Sequence, residues 1–319
     1  MISTEARQRI GNILYRYKMI LILLAIVLFL SIASNVFLTS GNLINVVKQI
    51  SVISIVAVGM TFVILTGGID LSVGAVLAVG GVIAARMTKN EIAPLFVVIL
   101  TACATGGVLG FINGTLVSRL KVPPFVMTLG MMSIARGISY VYTEGRPIVN
   151  FSKNFLFIGQ GSIWVIPMPV VIMLSIVVLG VIVLNYTKFG RYVYYIGGNT
   201  EAARVSGINV EWILTFVYTL VGALAGLAGL VLTARLNAGQ PQAGLSYELD
   251  AIAAVVIGGT SLSGGIGSVS GTLVGALIIG IINNGLNLLN VDPFYQLIAK
   301  GVVICGAVIL DTQTSIKGK

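Results

Sequence analysis

The sequence predicts an all-α polytopic membrane protein, and three observations carry that reading. Of the 319 residues, 57% are hydrophobic and only 9% are charged. Soluble domains carry about 25% charged residues, so a chain this poor in charge cannot keep its surface wet. Mean hydropathy is +1.03. The apolar residues also fall in runs near the roughly 20 residues a helix needs to cross a bilayer. The polar stretches between them are too short to fold on their own. A single transmembrane domain over 1–319 is expected.

Ten candidate spans follow in order: 19–38, 44–66, 71–88, 94–117, 124–142, 164–186, 212–233, 249–260, 270–289 and 295–311. The first follows a basic start, "RQRIGNILYRYK". It reads as a retained helix and not as a signal peptide, because it approaches full spanning length and other spans follow. The second and third meet at "LTGGIDLSVG", where two Gly and one Asp interrupt the apolar run. The eighth is short and the weakest. The chain has 39 Gly, as expected where helices approach closely in lipid. In "GALAGLAGL", Gly222, Gly226 and Gly229 lie near one face.

Ten spans put both termini on one side. With the N-terminus cytoplasmic, the inner side holds Arg7, Arg9, Arg16, Lys18, Arg119, Lys121, Lys188, Arg191, Arg204, Lys317 and Lys319. The outer side holds only Lys48, Arg86, Lys89, Arg146, Lys153 and Arg235. Basic residues concentrate on the cytoplasmic side of membrane proteins, so the expected topology is N-in, C-in. The segment 187–211 then faces the cytoplasm, and the loops 143–163 and 234–248 face outward. This scatter at the ends of apolar runs also accounts for the net charge of +9 without nucleic acid as a partner. One internal echo stands out. "GGIDLS" at 67–72 recurs as "GGTSLS" at 258–263. Duplicated halves with broken helices at matching positions leave such a trace; an independently arising glycine turn leaves the same one.

Several classes of chemistry are excluded. There is no His, which removes the commonest metal ligand and general base. No phosphate-cradling G-x-x-x-x-G-K-[ST] loop occurs. Cys103 and Cys305 lie in apolar runs and read as small core residues, not as a disulfide. No cofactor or metal is expected, and an enzyme is the weakest reading.

The polar island "GGNTEAARVSGINV" lies between two long apolar runs. Asn199 or Thr200 can cap a helix start. Glu201 sits near the positive end of the helix dipole. Ala202, Ala203 and Val205 give a small apolar face, and Gly207 is a natural left-handed stop. A helix of about two turns is too short to be stable alone in water. It leans on the bundle, the membrane surface or another protein, or it is a plain surface turn.

The island resembles a known family. Glu201-Ala202-Ala203 with Gly207 fits E-A-A-x-x-x-G, the coupling-loop motif of permease subunits of ATP-binding-cassette importers. "GRYVYYIGGNTEAARVSGINV", "MTFVILTGGIDLSVGAVLA" and "NNGLNLLNVDPFYQLI" look like the monosaccharide branch, the ribose-permease-like proteins. So does the long segment from "ARLNAGQPQAGLSYELDA" to "GTLVGALIIG". The resemblance covers about residues 40–311. It implies a permease fold, two permease copies (a homodimer), two cytoplasmic ATPase subunits and an extracytoplasmic sugar-binding protein. A monosaccharide, ribose first, would be the solute. Gly198, Asn199, Glu201, Ala202, Ala203, Arg204 and Gly207 would form the surface that couples to the ATPase.

Polar residues inside spans are costly and are paired or functional. Asp70, with Ser72, caps the third helix or lines the solute route. Asn113, Asn283, Asn284 and Asn287 can bond sugar hydroxyls or bond helix to helix. Asn283 and Asn287 share a helical face. Arg136 and Lys300 are read as snorkelling to the interface. Gln240, Gln242, Glu248 and Asp250 are expected in the outer loop, either solvated or docking a binding protein. The rival reading is an ion-driven secondary transporter. Such proteins carry ionisable groups deep in their spans, whereas Asp70 is the one candidate acid and lies near a span boundary.

Overall fold

The structure, a computed structural model, describes residues 18–89, 93–302 and 306. Readings that fall on Arg7, Arg9, Arg16, Cys305, Lys317, Lys319 and the end of the run 295–311 lie outside the described residues.

The chain begins with α1 (Lys18–Ala33), α2 (Ser40–Leu65) and α3 (Val73–Thr88). α4 (Leu95–Arg119) and α5 (Pro124–Thr143) follow. A short helix α6 (Lys153–Gln160) leads to a two-stranded hairpin, β1 (Ser162–Ile163) and β2 (Ile166–Pro167), and then α7 (Met168–Tyr186). The polar island folds into α8 (Lys188–Gly198) and α9 (Thr200–Val205). α10 (Val210–Leu236), α11 (Tyr247–Ile257) and α12 (Val269–Leu288) come next. Residues 293–302 are again helical. Among the described residues, this hairpin and one isolated bridge are the only β-structure.

α10 is the central post. α2, α3 and α4 pack along it, and α12 packs on α11, α2 and α1. From Ile50 to Leu65 every residue of α2 is buried. The α4–α10 contact runs backbone to backbone. A Cβ on Gly106 would lie 2.1 Å from the carbonyl oxygen of Gly222. Such close approach is how helices associate where lipid offers no hydrophobic drive. Gly222 and Gly226 face α4, but Gly229 turns toward α3, against the carbonyl oxygen of Leu77. The three glycines therefore serve two neighbours and not one face. Outside this core, α7 leaves Leu174, Val178, Leu179 and Ile182 exposed, a surface that lipid accepts and water does not.

Five described helices are long and apolar enough to cross a membrane: α2, α4, α7, α10 and α12. α1 and α3 are shorter apolar helices. The ten runs therefore do not appear as ten full-length helices. The run 164–186 opens with the hairpin, in which Trp164 has φ 56. Pro167 then caps α7 and Pro169 lies in its first turn, where a missing N–H costs nothing. The run 249–260 forms α11, of only 11 residues. At 1.5 Å per residue it is roughly 16 Å long, about half the thickness of a bilayer core. Ser246 (φ 65) opens it and Gly259 (φ 90) closes it.

Two ends of the bundle are defined by contacts. The loops after α5 and α10 pair through Ile148 and Gly239, with N–H···O distances of 3.0 and 2.8 Å in the two directions. At the far end of α10, 27 residues away along one helix, lie α8 and α9.

Candidate functional site

α8 is amphipathic. It buries Val193 and Ile196 and exposes Tyr195. Its start is capped by the Thr187 hydroxyl, which accepts the N–H of Gly190 at 3.2 Å. α9 follows with a cap of its own: Asn199 Oδ1 accepts the N–H of Ala202 at 2.9 Å. Thr200 does not cap it, since its hydroxyl donates back to the Ile196 carbonyl. Gly207, at φ 81, ends the turn. Within α9 only Ala203 is buried. Gly198, Asn199, Glu201, Ala202 and Arg204 are exposed, and Val205 is 88% exposed. Arg204 reaches Glu201 at 2.6 Å and Glu211, in the first turn of α10, at 3.2 Å. The Glu201 carboxylate beside it pushes the guanidinium pKa further up. A groove of about 530 Å³ runs between α8 and α9, lined by Tyr192, Tyr195, Ala202 and Ile208 among others. The island is thus a capped, charge-bridged, exposed helix that follows an amphipathic one.

The break between α2 and α3 holds the second cluster. Asp70 is 1% exposed, as is Ser72, and Asn113 is fully buried. Asp70 Oδ1 accepts the Ser72 N–H at 2.8 Å and the Ser72 hydroxyl at 2.6 Å. Ser72 Oγ in turn accepts from Asn113 Nδ2 at 3.0 Å. The chain from Asp70 to α4 is therefore continuous. Asp70 caps the turn that opens α3, not the first N–H groups of α3 itself. Tyr218 of α10, also buried, closes over this turn: a Cβ on Gly68 would meet its hydroxyl at 2.5 Å. A Tyr in an apolar run has no distinguishing pattern, so the sequence alone does not mark Tyr218.

The three α12 asparagines bond in three directions. Asn283 Nδ2 donates to Asp250 at 3.3 Å. Asn284 exchanges two hydrogen bonds with Asn42 of α2, at 3.1 and 2.9 Å. Asn287 is exposed and accepts from Gln296 at 2.9 Å. Asn283 and Asn287 share a face, as their spacing requires, yet they do not share an environment. Each binds helix to helix.

Two expectations are corrected here. Asp250 is not on the outer loop surface; it lies in α11, 3% exposed. Lys300 does not snorkel. Its Nζ stands 3.0 Å from both Asp250 oxygens, because a buried carboxylate in an apolar bundle needs a counter-charge. Arg136 also stays inside. It donates to the carbonyls of Pro241 and Ala243 at 2.7 and 2.9 Å, so it ties α5 to the segment after α10. The complementary signs of Asp250 and Lys300 in separate apolar runs were the signal available for this pair. Gln240 and Gln242 remain exposed, and Glu248 is half-buried. Cys103 is free and half-buried on α4. Among the described residues no group of three or more His, Cys, Asp and Glu gathers to hold a metal.

Known proteins match this chain along most of its length. A family model described as "Branched-chain amino acid transport system / permease component" matches residues 42–308. The chain is 49% identical over 313 residues to the ribose import permease protein of Haemophilus influenzae, covering 97% of each. It is 47% identical over 315 residues to the ribose import permease protein of Bacillus subtilis, covering 98% of each. A D-allose transport system permease protein of Escherichia coli is 40% identical over 297 residues, covering 93% of this chain and 91% of the relative. No solved structure matches significantly. The helical bundle, its lipid-suited exterior and these full-length likenesses agree: the chain is a multi-pass membrane protein and belongs to this family of transport-system permease components.

Proposed function

We propose that the chain is the membrane permease subunit of an ATP-binding-cassette importer and carries a monosaccharide, ribose first, into a bacterial cytoplasm. The relatives named as ribose import permeases, at 47–49% identity over nearly the whole chain, support ribose over the D-allose reading at 40%. One observation carries the coupling role: α9 is capped, exposed and displayed at one end of the bundle, with the E-A-A-x-x-x-G residues on it. In this reading the whole chain works as one transmembrane domain with ten membrane-crossing or partly crossing segments, N-in and C-in. The pairing of Ile148 with Gly239 supports it, since both outer loops then share a side and α8–α9 take the other.

The partners follow from the class. Two cytoplasmic ATPase subunits receive the α9 surface, built from Gly198, Asn199, Glu201, Ala202, Arg204 and Gly207; Ala203, which the sequence also offered, is buried beneath it. An extracytoplasmic sugar-binding protein delivers the solute opposite, near Gln240 and Gln242. A second copy completes a homodimer. Asp70, Ser72, Asn113, Asn283, Asn284 and Asn287 remain candidates for the solute route. Five of the six are buried and bonded within one chain. The route therefore opens to them only when those contacts part, or it runs between the two copies. Energy enters through the ATPases; this chain's residues dock them, hold the breaks between helices and bond the solute.

The test is Gly207→Leu. The residue at φ 81 takes up a conformation that a β-branched or bulky side chain resists, and its surroundings are open. The variant is expected to insert in the membrane and to lose ATPase co-purification or to uncouple hydrolysis from ribose uptake. Wild-type uptake with normal ATPase stimulation would remove the docking role.

A further inference from the structure

Two glycine turns meet in space, directly behind the α8–α9 island: Gly67, where the stretch 67–72 begins, and Gly264–Gly265, just past its echo at 258–263. The N–H of Gly265 donates to the Leu65 carbonyl at 2.9 Å. A Cβ on Gly264 would lie 3.0 Å from the N of Gly67 and equally close to Gly197. A Cβ on Gly197, at the end of α8, would lie 1.8 Å from the Leu65 carbonyl oxygen and 2.5 Å from the N of Gly265. Three backbone segments thus touch with no side chain between them. Gly67, Gly264 and Gly265 have φ of 78, 86 and 74, so the turns themselves also require glycine.

The rest of α8 grips the same two segments. Phe189 stacks on Phe62 in the last turns of α2, with ring centroids 6.2 Å apart. The Tyr194 hydroxyl donates to the Gly267 carbonyl at 2.8 Å. Each turn in turn opens an apolar helix. The first leads through Asp70 and Ser72 into α3. The second leads through Ser268, whose hydroxyl caps α12 by accepting the Gly271 N–H at 3.1 Å.

We propose that this glycine junction of Leu65–Gly67, Gly197 and Gly264–Gly265, with Tyr194, is the point at which movement of the ATPase-docking helices is passed to the starts of α3 and α12 together. The inference rests on α9 docking the ATPase. A contact of side chains absorbs a displacement by changing rotamers. A contact of backbones does not, because close-packed main chain transmits strain. Any shift of α8 therefore moves the end of α2 and the second turn with it. Gly197, Gly264, Gly265 and Tyr194 are positioning residues; they touch neither solute nor nucleotide.

The test compares Gly197→Ala, Tyr194→Phe and the control Gly137→Ala, whose Cβ would meet nothing within 4 Å. Each is purified with its ATPase and reconstituted in lipid vesicles with ribose-loaded binding protein. Gly197→Ala forces α8 off the Leu65 carbonyl. It is expected to co-purify with the ATPase and keep basal hydrolysis, while ribose uptake falls about tenfold or more and stimulation by the loaded binding protein is lost, within the range typical of coupling between sites. Tyr194→Phe removes one hydrogen bond and is expected to lower uptake about two- to fivefold with assembly intact. Gly137→Ala matches wild type. An assembled Gly197→Ala that transports at the wild-type rate overturns the proposal. If that variant does not assemble, undiminished uptake in Tyr194→Phe overturns it instead. Failure of the docking reading looks different: Glu201→Lys would then leave ATPase co-purification unchanged.

Discussion

Two charged clusters of this chain use the same chemistry in opposite settings. Arg204 bridges Glu201 and Glu211 on the island, where its side chain is 40% exposed and that of Glu201 77%. Lys300 bridges both oxygens of Asp250, where the exposures are 19% and 4%. The first cluster sits in water, which screens it and competes for its hydrogen bonds. The second sits in the bundle, where leaving either charge without the other is costly. Geometry alone would rank them as equals. Burial separates a surface feature available to a partner from a fastening between α11 and the helical stretch 293–302.

That contrast breaks most sharply at Lys300. Lys300→Met leaves the Asp250 carboxylate buried with only Asn283 beside it. Removing one partner of a buried pair costs about 3–5 kcal/mol, so the thermal midpoint of the purified protein is expected to drop by many degrees. The double variant Asp250→Leu/Lys300→Met removes both charges and is expected to recover most of that loss. A single variant as stable as wild type, or a double variant worse than the single, would show that the pair is not a buried fastening.

The fold class was legible from apolar runs and low charge because those follow from the solvent, and lipid imposes them on every span. The α9 helix was legible too, because Asn199, Glu201 and Gly207 act on their own neighbours in sequence. Contacts between distant segments were not. Nothing local distinguishes Asp250 as a buried partner of Lys300, since that bond joins residues 50 apart. The shortness of α11 was legible as well, because Gly258 and Gly259 interrupt the apolar run where the helix stops. Likewise the echo of 67–72 in 258–263 was visible as text, but the contact that folding makes, Gly67 against Gly264, falls one residue past the echo.

Asp70 sharpens the comparison from the middle of the scale. It is a buried carboxylate with no cation on it among the described residues, stabilised by the N–H and O–H of Ser72. An asparagine keeps an acceptor oxygen for both bonds. Asp70→Asn is therefore expected to assemble and to take up ribose normally. Asp70→Ala strands the Ser72 donors and is expected to lose about 1–3 kcal/mol. Yield and unfolding midpoint, measured beside uptake, separate the two roles. An Asn variant that assembles at full yield and fails to transport would mean that the negative charge itself serves the solute route.

The smallest stability effect belongs to Arg204. Its ion pairs are exposed, and such pairs contribute little to folding because water already solvates both members. Arg204→Gln is expected to leave the unfolding midpoint unchanged within error, in contrast to Lys300→Met. Its effect appears elsewhere. The substitution releases Glu201 and Glu211 from their shared partner and makes the island surface more negative. If α9 docks the ATPase, co-purification of the two subunits falls and the remaining association becomes dependent on ionic strength, since screening acts on charges at this exposure. A variant that loses stability like Lys300→Met would mean that the island trio holds the fold. One that keeps both its midpoint and its ATPase would leave Arg204 as an ordinary solvated residue, with docking carried by Gly207 and the apolar face around Val205.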